Sequence, residues 1–196
     1  MSHPGEAIAA LERRVRDLED RLALLQLVAT YGPAVDSGSP EPTARLWTED
    51  GVYDVFPKVL RGRGDIADMV TGELHQSLIA RGAAHLQSLP HIEITGDRAV
   101  VTTYSQLVLR DEATDSYRIW RTSANRWEFI RTDQGWRVTH RTNRPLDGGG
   151  EARELLRAAV EPERTDRPSP DGPESPPRDL TDDSARVAPR RRTVRP

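Results

Sequence analysis

Between Tyr117 and Arg144 the chain reads YRIWRTSANRWEFIRTDQGWRVTHRTNR, and no other stretch constrains the fold as much. Its period of two predicts two long strands, joined by a tight turn at Thr132-Asp133-Gln134-Gly135. Alternation puts Ile119, Arg121, Ser123, Asn125, Trp127 and Phe129 on one face of the first strand. Trp120, Thr122, Ala124, Arg126, Glu128 and Ile130 take the other. On the second strand Trp136, Val138, His140 and Thr142 are expected to share a face, opposite Arg137, Thr139, Arg141 and Asn143. Large rings interleaved with Ser123, Asn125 and His140 suit a pocket wall, since pockets are mostly apolar with a few fixed polar groups.

Ahead of this pair the pattern is helical, then β. Ile8, Leu11, Val15, Leu18, Leu22 and Leu25 recur at alternating spacings of three and four, a heptad seam on a helix from about Glu6 to Tyr31. Gly32-Pro33 is expected to break or kink it. A short helix over Pro42–Trp47, a turn at Thr48–Gly51, a strand at Val52–Phe56 and a helix over Asp65–Ala80 follow. Strands are then expected at Ala84–Leu89, His91–Thr95 and Ala99–Leu109, with a turn at Gly96-Asp97, and a last helix at Glu151–Val160. Short helices followed by long strands predict an α+β fold: a curved, mostly antiparallel sheet with helices on one face.

At 196 residues the chain suffices for one domain with a sizeable core. A net charge of -3 gives no reason to expect a nucleic-acid partner. Without cysteine there is no thiolate chemistry, and the five histidines, at 3, 75, 85, 91 and 140, show no metal-ligand spacing. No metal or cofactor is expected. No apolar run reaches membrane-spanning length and the N-terminus has no signal-peptide pattern, so a cytoplasmic protein without a membrane partner is expected. Residues 161–196 hold eight of the chain's 15 prolines and almost no large apolar side chain, the composition of a disordered tail.

Tyr31, Asp36, Leu46-Trp47-Thr48-Glu49-Asp50-Gly51-Val52-Tyr53-Asp54, Arg61-Gly62-Arg63 and His85 occur in that order, leading into Gly96-Asp97 and Asp133-Gln134-Gly135-Trp136-Arg137-Val138. This resembles the SnoaL-like group of the nuclear transport factor 2-like superfamily. The resemblance implies a cone-shaped fold, a bent sheet wrapped over helices around an apolar cavity. It divides the chain into an N-terminal helical extension (1–21), a SnoaL-like domain (22–147), a short C-terminal helix (148–160) and the tail. Ser123-Ala124-Asn125 and Trp136 are similar to a stretch of scytalone dehydratase in the same superfamily, where the counterparts of Asp36 and His85 are catalytic. The carbonyl-polarising tyrosines of that enzyme fall at Val35 and Val55 here, and its second histidine falls near Arg110 or Asp111, so its substrate does not carry over.

The resemblance implies a catalytic set of Asp36, His85 and Asn125. Asp36 would orient the His85 base, and Asn125 would donate to a developing oxyanion. Substrate contacts are expected from Tyr31, Tyr53, Tyr104, Ser123, Trp127, Phe129 and His140. The expected function is a cofactor-independent enzyme that moves a proton on a hydrophobic, polyketide-like or polycyclic small molecule, by cyclisation, dehydration or isomerisation. The alternative is a non-catalytic ligand-binding or oxygenase-partner subunit. The heptad seam, with the sheet surface that the superfamily often pairs, implies a homodimer.

Overall fold

The computed structural model describes residues 4–161; the tail from 162 onward lies outside the described residues. The first element is a 33-residue helix, α1 (Pro4–Asp36). It does not break at Gly32-Pro33. Pro33 and Ala29 are both exposed, so water can reach the backbone carbonyl that the proline leaves without a donor. Meanwhile Ala34 and Val35 are buried and hold the last turn against the core. Gly32 is the close-approach residue of this turn: a Cβ there would lie 2.3 Å from the carbonyl oxygen of His85.

α2 (Pro40–Ala44) is shorter and earlier than expected, because Trp47, 0% exposed, already opens strand β1 (Trp47–Val55). The turn expected at Thr48–Gly51 is an irregularity inside that strand, where pairing skips from Trp47 to Val52. β2 (Lys58–Arg61) follows, then two helices in place of one, α3 (Gly62–Thr71) and α4 (Glu73–Ala80). They part at Gly72, whose backbone is extended. β3 (Ala83–Gln87), β4 (His91–Thr95), β5 (Arg98–Asp111), β6 (Ser116–Thr132), β7 (Gly135–Pro145) and α5 (Gly150–Ala158) complete the domain.

The strands form one sheet of seven in the order β2-β1-β7-β6-β5-β3, with β4 also pairing β5. Every pairing is antiparallel except β1 with β7. The expected α+β architecture is present: a curved, open sheet with α1 and α3 on its inner face. Leu24, Val28, Tyr31 and Val35 of α1 and Ile66 and Val70 of α3 pack there against Val101, Trp127, Phe129 and Val138. The β6–β7 turn closes on Gly135, whose φ of 91° lies in the left-handed region open to glycine.

The second strand departs from simple alternation. Glu128 pairs with His140 but Phe129 pairs with Val138, so Thr139 is an extra residue, a β-bulge. Trp136 and Val138 face inward before it, and Arg141 and Asn143 face inward after it.

Two ion-pair latches join the layers. Asp20 of α1 accepts from Nη1 and Nη2 of Arg131 at 2.7 and 2.6 Å and from Nε1 of Trp136 at 3.0 Å. Asp54 accepts from Nη1 and Nη2 of Arg144 at 2.9 and 2.6 Å, and Nε of Arg144 reaches Glu151 of α5 at 2.9 Å. Hydrogen bonds from Arg131 hold the Asp20 carboxyl below the usual carboxylate range. Its contribution to stability is therefore complete above about pH 4 and is lost as pH falls through the lowered folded value. Urea unfolding of wild type and Asp20→Asn should show a gap that is constant at neutral pH and closes on acidification below about pH 4. A gap that widened in acid would contradict the latch.

Gly32 gives a second test. In an exposed helix interior, Gly→Ala gains about 1 kcal/mol. Here the added Cβ meets backbone, so Gly32→Ala should instead cost about 1–3 kcal/mol. The sign of the shift in thermal unfolding checks it.

Candidate functional site

Asp36 ends α1, and the third residue of β3 is His85; the two side chains meet. Oδ2 of Asp36 accepts the backbone N–H of His85 at 2.7 Å, and Oδ1 lies 2.6 Å from Nδ1 of its ring. The backbone bond fixes the carboxylate, so its direction toward the imidazole is set in advance. An ionised carboxylate only accepts, so Nδ1 carries the proton. Nε2 then holds the lone pair and has no protein hydrogen-bond partner among the described residues. The side chains keep partial solvent access, 16% for His85 and 22% for Asp36. A fixed tautomer, a free nitrogen and access are what a general base requires.

Next to the pair stands His75 of α4. Its ring centroid is 5.7 Å from that of His85, and its Nε2–H donates to the Val35 carbonyl at 2.8 Å. Tyr31 touches His85 from the other side, edge-on at 6.3 Å. The Tyr31 ring also meets Trp47, Tyr53 and Trp127 at centroid distances of 6.0, 6.2 and 5.6 Å. These four aromatic residues are at most 3% exposed and fill the space between α1 and the sheet. Burial raises the Tyr31 phenol far above its ordinary range, so it stays neutral and donates to the Tyr53 hydroxyl at 3.4 Å. Phe129 stacks on Trp127, whose Nε1 donates to Thr103 at 3.3 Å.

Within this shell lies a guanidinium. Arg141 is 1% exposed, and its Cζ sits 3.8 Å from the centroid of Trp127, 4.1 Å from that of Tyr31 and 4.6 Å from that of Tyr53. Its Nε and Nη2 donate to Oδ1 of Asn125 at 3.1 and 2.8 Å. No carboxylate pairs with it among the described residues, and its buried Nη1 has no partner there. Isolated burial of such a charge costs several kcal/mol. Three ring faces, each contributing about 0.5–2 kcal/mol, and the Asn125 oxygen offset it.

Asn125 faces inward as alternation predicts, but its polar atoms are engaged. Oδ1 also accepts from Nδ2 of Asn143 at 2.8 Å, and its own Nδ2 donates to Ser105 at 2.8 Å. In this arrangement it holds Arg141, and is not an open oxyanion donor. Ser123 is on the same wall, 1% exposed. Two expected contacts lie elsewhere. The bulge at Thr139 turns His140 to the outer face, in register with Glu128 and away from Trp136 and Val138. Tyr104 pairs with Ala124 on the outer face, where it lines a cavity of about 420 Å³ beneath α5 with Thr102, Leu156 and Val160. Among the described residues no three His, Asp or Glu side chains gather as a metal site needs.

The SnoaL-like domain profile matches residues 16–142. The chain belongs to the SnoaL-like family. No curated protein matches. A solved NTF2-like protein with a cystatin-like fold from Novosphingobium aromaticivorans is 40% identical, with a TM-score of 0.72 over 74% of this chain and 94% of that one. A candidate aromatic ring hydroxylase from the same organism is 25% identical, with a TM-score of 0.55 over 66% and 90%. A candidate scytalone dehydratase from that organism, at 20% identity and a TM-score of 0.55 over 66% and 85%, shows the shared fold alone.

Two residues of this SnoaL-like site escape a reading by periodicity. Arg141 is assigned to the outer face by unbroken alternation, and nothing in the sequence marks Thr139 as a bulge. His75 is missed because the apolar stripe through Leu74 assumes one helix. The break at Gly72 turns α4, leaving Leu74 71% exposed and His75 8%.

Asn125→Ala should destabilise the domain by about 1–3 kcal/mol, since the guanidinium loses the only side-chain oxygen acceptor it has among the described residues. Urea unfolding at neutral pH measures this. Unchanged stability would mean that the ring faces alone hold Arg141.

Proposed function

We propose that this SnoaL-like protein catalyses proton transfer on a hydrophobic small molecule, with the Nε2 atom of His85 as the base. The observation that carries this reading is the double contact of Asp36 with His85, at 2.6 Å to the ring and 2.7 Å to the backbone. The neutral imidazole takes a proton from an activated C–H of the substrate, and the Asp36 carboxylate stabilises the imidazolium that forms. The substrate is left with the negative charge. The unpartnered Nη1 of Arg141, held in the aromatic shell, is suited to answer it, more so in low dielectric than in water. The apolar setting of the pair, with Tyr31 edge-on to His85, favours a hydrophobic substrate of the polyketide-like or polycyclic kind over a sugar or a peptide. Whether the deprotonated substrate cyclises, loses water or is reprotonated elsewhere is a property of the substrate, and all three outcomes share this first step. The match to a candidate ring hydroxylase structure fits an aromatic substrate class.

One observation favours a second reading. Tyr31, Trp47, Tyr53 and Trp127 fill the inner face, as suits a non-catalytic partner subunit.

A single experiment separates the two. Aromatic and polycyclic ketones are screened by thermal shift, and any binder is incubated in D2O while deuterium uptake at its acidic carbon is followed by mass spectrometry. The base reading predicts enzyme-dependent exchange that falls about 10²–10⁴-fold in His85→Ala and is impaired in Asp36→Asn. Binding without exchange, or exchange unaffected by His85→Ala, would leave the partner-subunit reading.

A further inference from the structure

The first six turns of α1 carry an apolar seam that the domain does not use. Ile8, Leu11, Val15, Leu18 and Leu22 are 51–65% exposed, and Leu25 is 38% exposed. At 100° per residue this seam lies on the side of the helix away from Asp20, Leu24, Val28 and Tyr31, which anchor α1 to the sheet. A partner on the seam would therefore not collide with the domain behind it.

In heptad terms Ile8, Val15 and Leu22 are a positions, and Leu11, Leu18 and Leu25 are d positions. Two β-branched residues at a, with leucine at every d, favour a parallel two-stranded coiled coil. The flanking charges select the same arrangement. Glu12 and Glu19 occupy e, while Arg14 and Arg21 occupy g. In a parallel pair each g residue faces the e residue five positions on in the other helix, so Arg14 meets Glu19 of the second copy, twice by symmetry. In an antiparallel pair g faces g and e faces e, which sets Arg against Arg and Glu against Glu. Among the described residues neither Arg14 nor Glu19 forms an ion pair within its own chain.

We infer that a second copy of this chain docks on the seam from Ile8 to Leu25, in parallel and in register, joining two domains through a coiled coil about 26 Å long. The interface is isologous, with its two-fold axis along the seam.

The full-length protein tests this, and its lack of native cysteine makes a thiol probe clean. Light scattering should give the mass of two chains for wild type. The Leu11→Glu, Leu18→Glu double variant should give one chain with an unchanged circular dichroism spectrum, because both side chains are exposed in the isolated chain. Arg14→Glu and Glu19→Arg alone should each raise the dissociation constant, and the two together should restore it within about threefold. Ile8→Cys should form a disulfide-linked dimer under mild oxidation. In an antiparallel pair it would lie beside Leu25, far from its counterpart, and would not link. A wild-type monomer, a trimer, a dimer that survives both glutamates, or a dimer in which Ile8→Cys fails to link would each overturn the inference.

Discussion

The Asp36 carboxylate does two things at once, and the arrangement of the site depends on it. A negative charge at the C-terminal end of a helix is disfavoured by the helix dipole unless donors are close. β3 supplies two, the backbone N–H and the ring Nδ1–H of His85. β3 is the last strand of the sheet path, so the same contact closes an open sheet edge onto α1. It requires the helix backbone to come very near the strand, and Gly32 permits that approach. Edge protection, helix docking and orientation of the candidate base are thus one interaction.

The inner face is built around a second constraint, the burial of Arg141. A single inserted residue, Thr139, changes which side chains of β7 face α1. Without it His140 would point inward and Arg141 would reach solvent. With it, a permanent cation stands beneath Tyr31, Tyr53 and Trp127, held by Asn125. Such a centre is costly as a purely structural device, since an apolar side chain of similar volume would pack there without desolvating a charge. Under the proposed proton-transfer reading, its Nη1, without a partner among the described residues, would answer negative charge that exists only while the substrate is deprotonated.

Much of the architecture was legible in the sequence, for reasons that differ between elements. The β5–β6–β7 strands declare themselves because each is long, alternates cleanly over at least part of its length and has a glycine-containing turn at one end. The seam of α1 is legible because leucine and β-branched residues repeat without interruption. By contrast, Gly32-Pro33 reads as a break or kink, because the exposure of Pro33 cannot be read locally. Gly72 looked like an ordinary helical residue, and Thr139 like one more step of a strand. The Asp36–His85 pair spans 49 positions, and no periodicity connects them; the family resemblance brought them together as a candidate. The same resemblance assigned Asn125 as a donor, and only its neighbours Arg141 and Asn143 show that its oxygen is occupied.

The central claim is that Asp36 holds His85 as the Nδ1–H tautomer with Nε2 free. Long-range ¹H–¹⁵N correlation spectra of the histidine rings report this directly at a pH where His85 is neutral. The account predicts a pyrrole-type Nδ1 and a pyridine-type Nε2 for His85 in wild type, with that preference weakened in Asp36→Asn. A His85 ring protonated at Nε2 in the wild-type protein would contradict it.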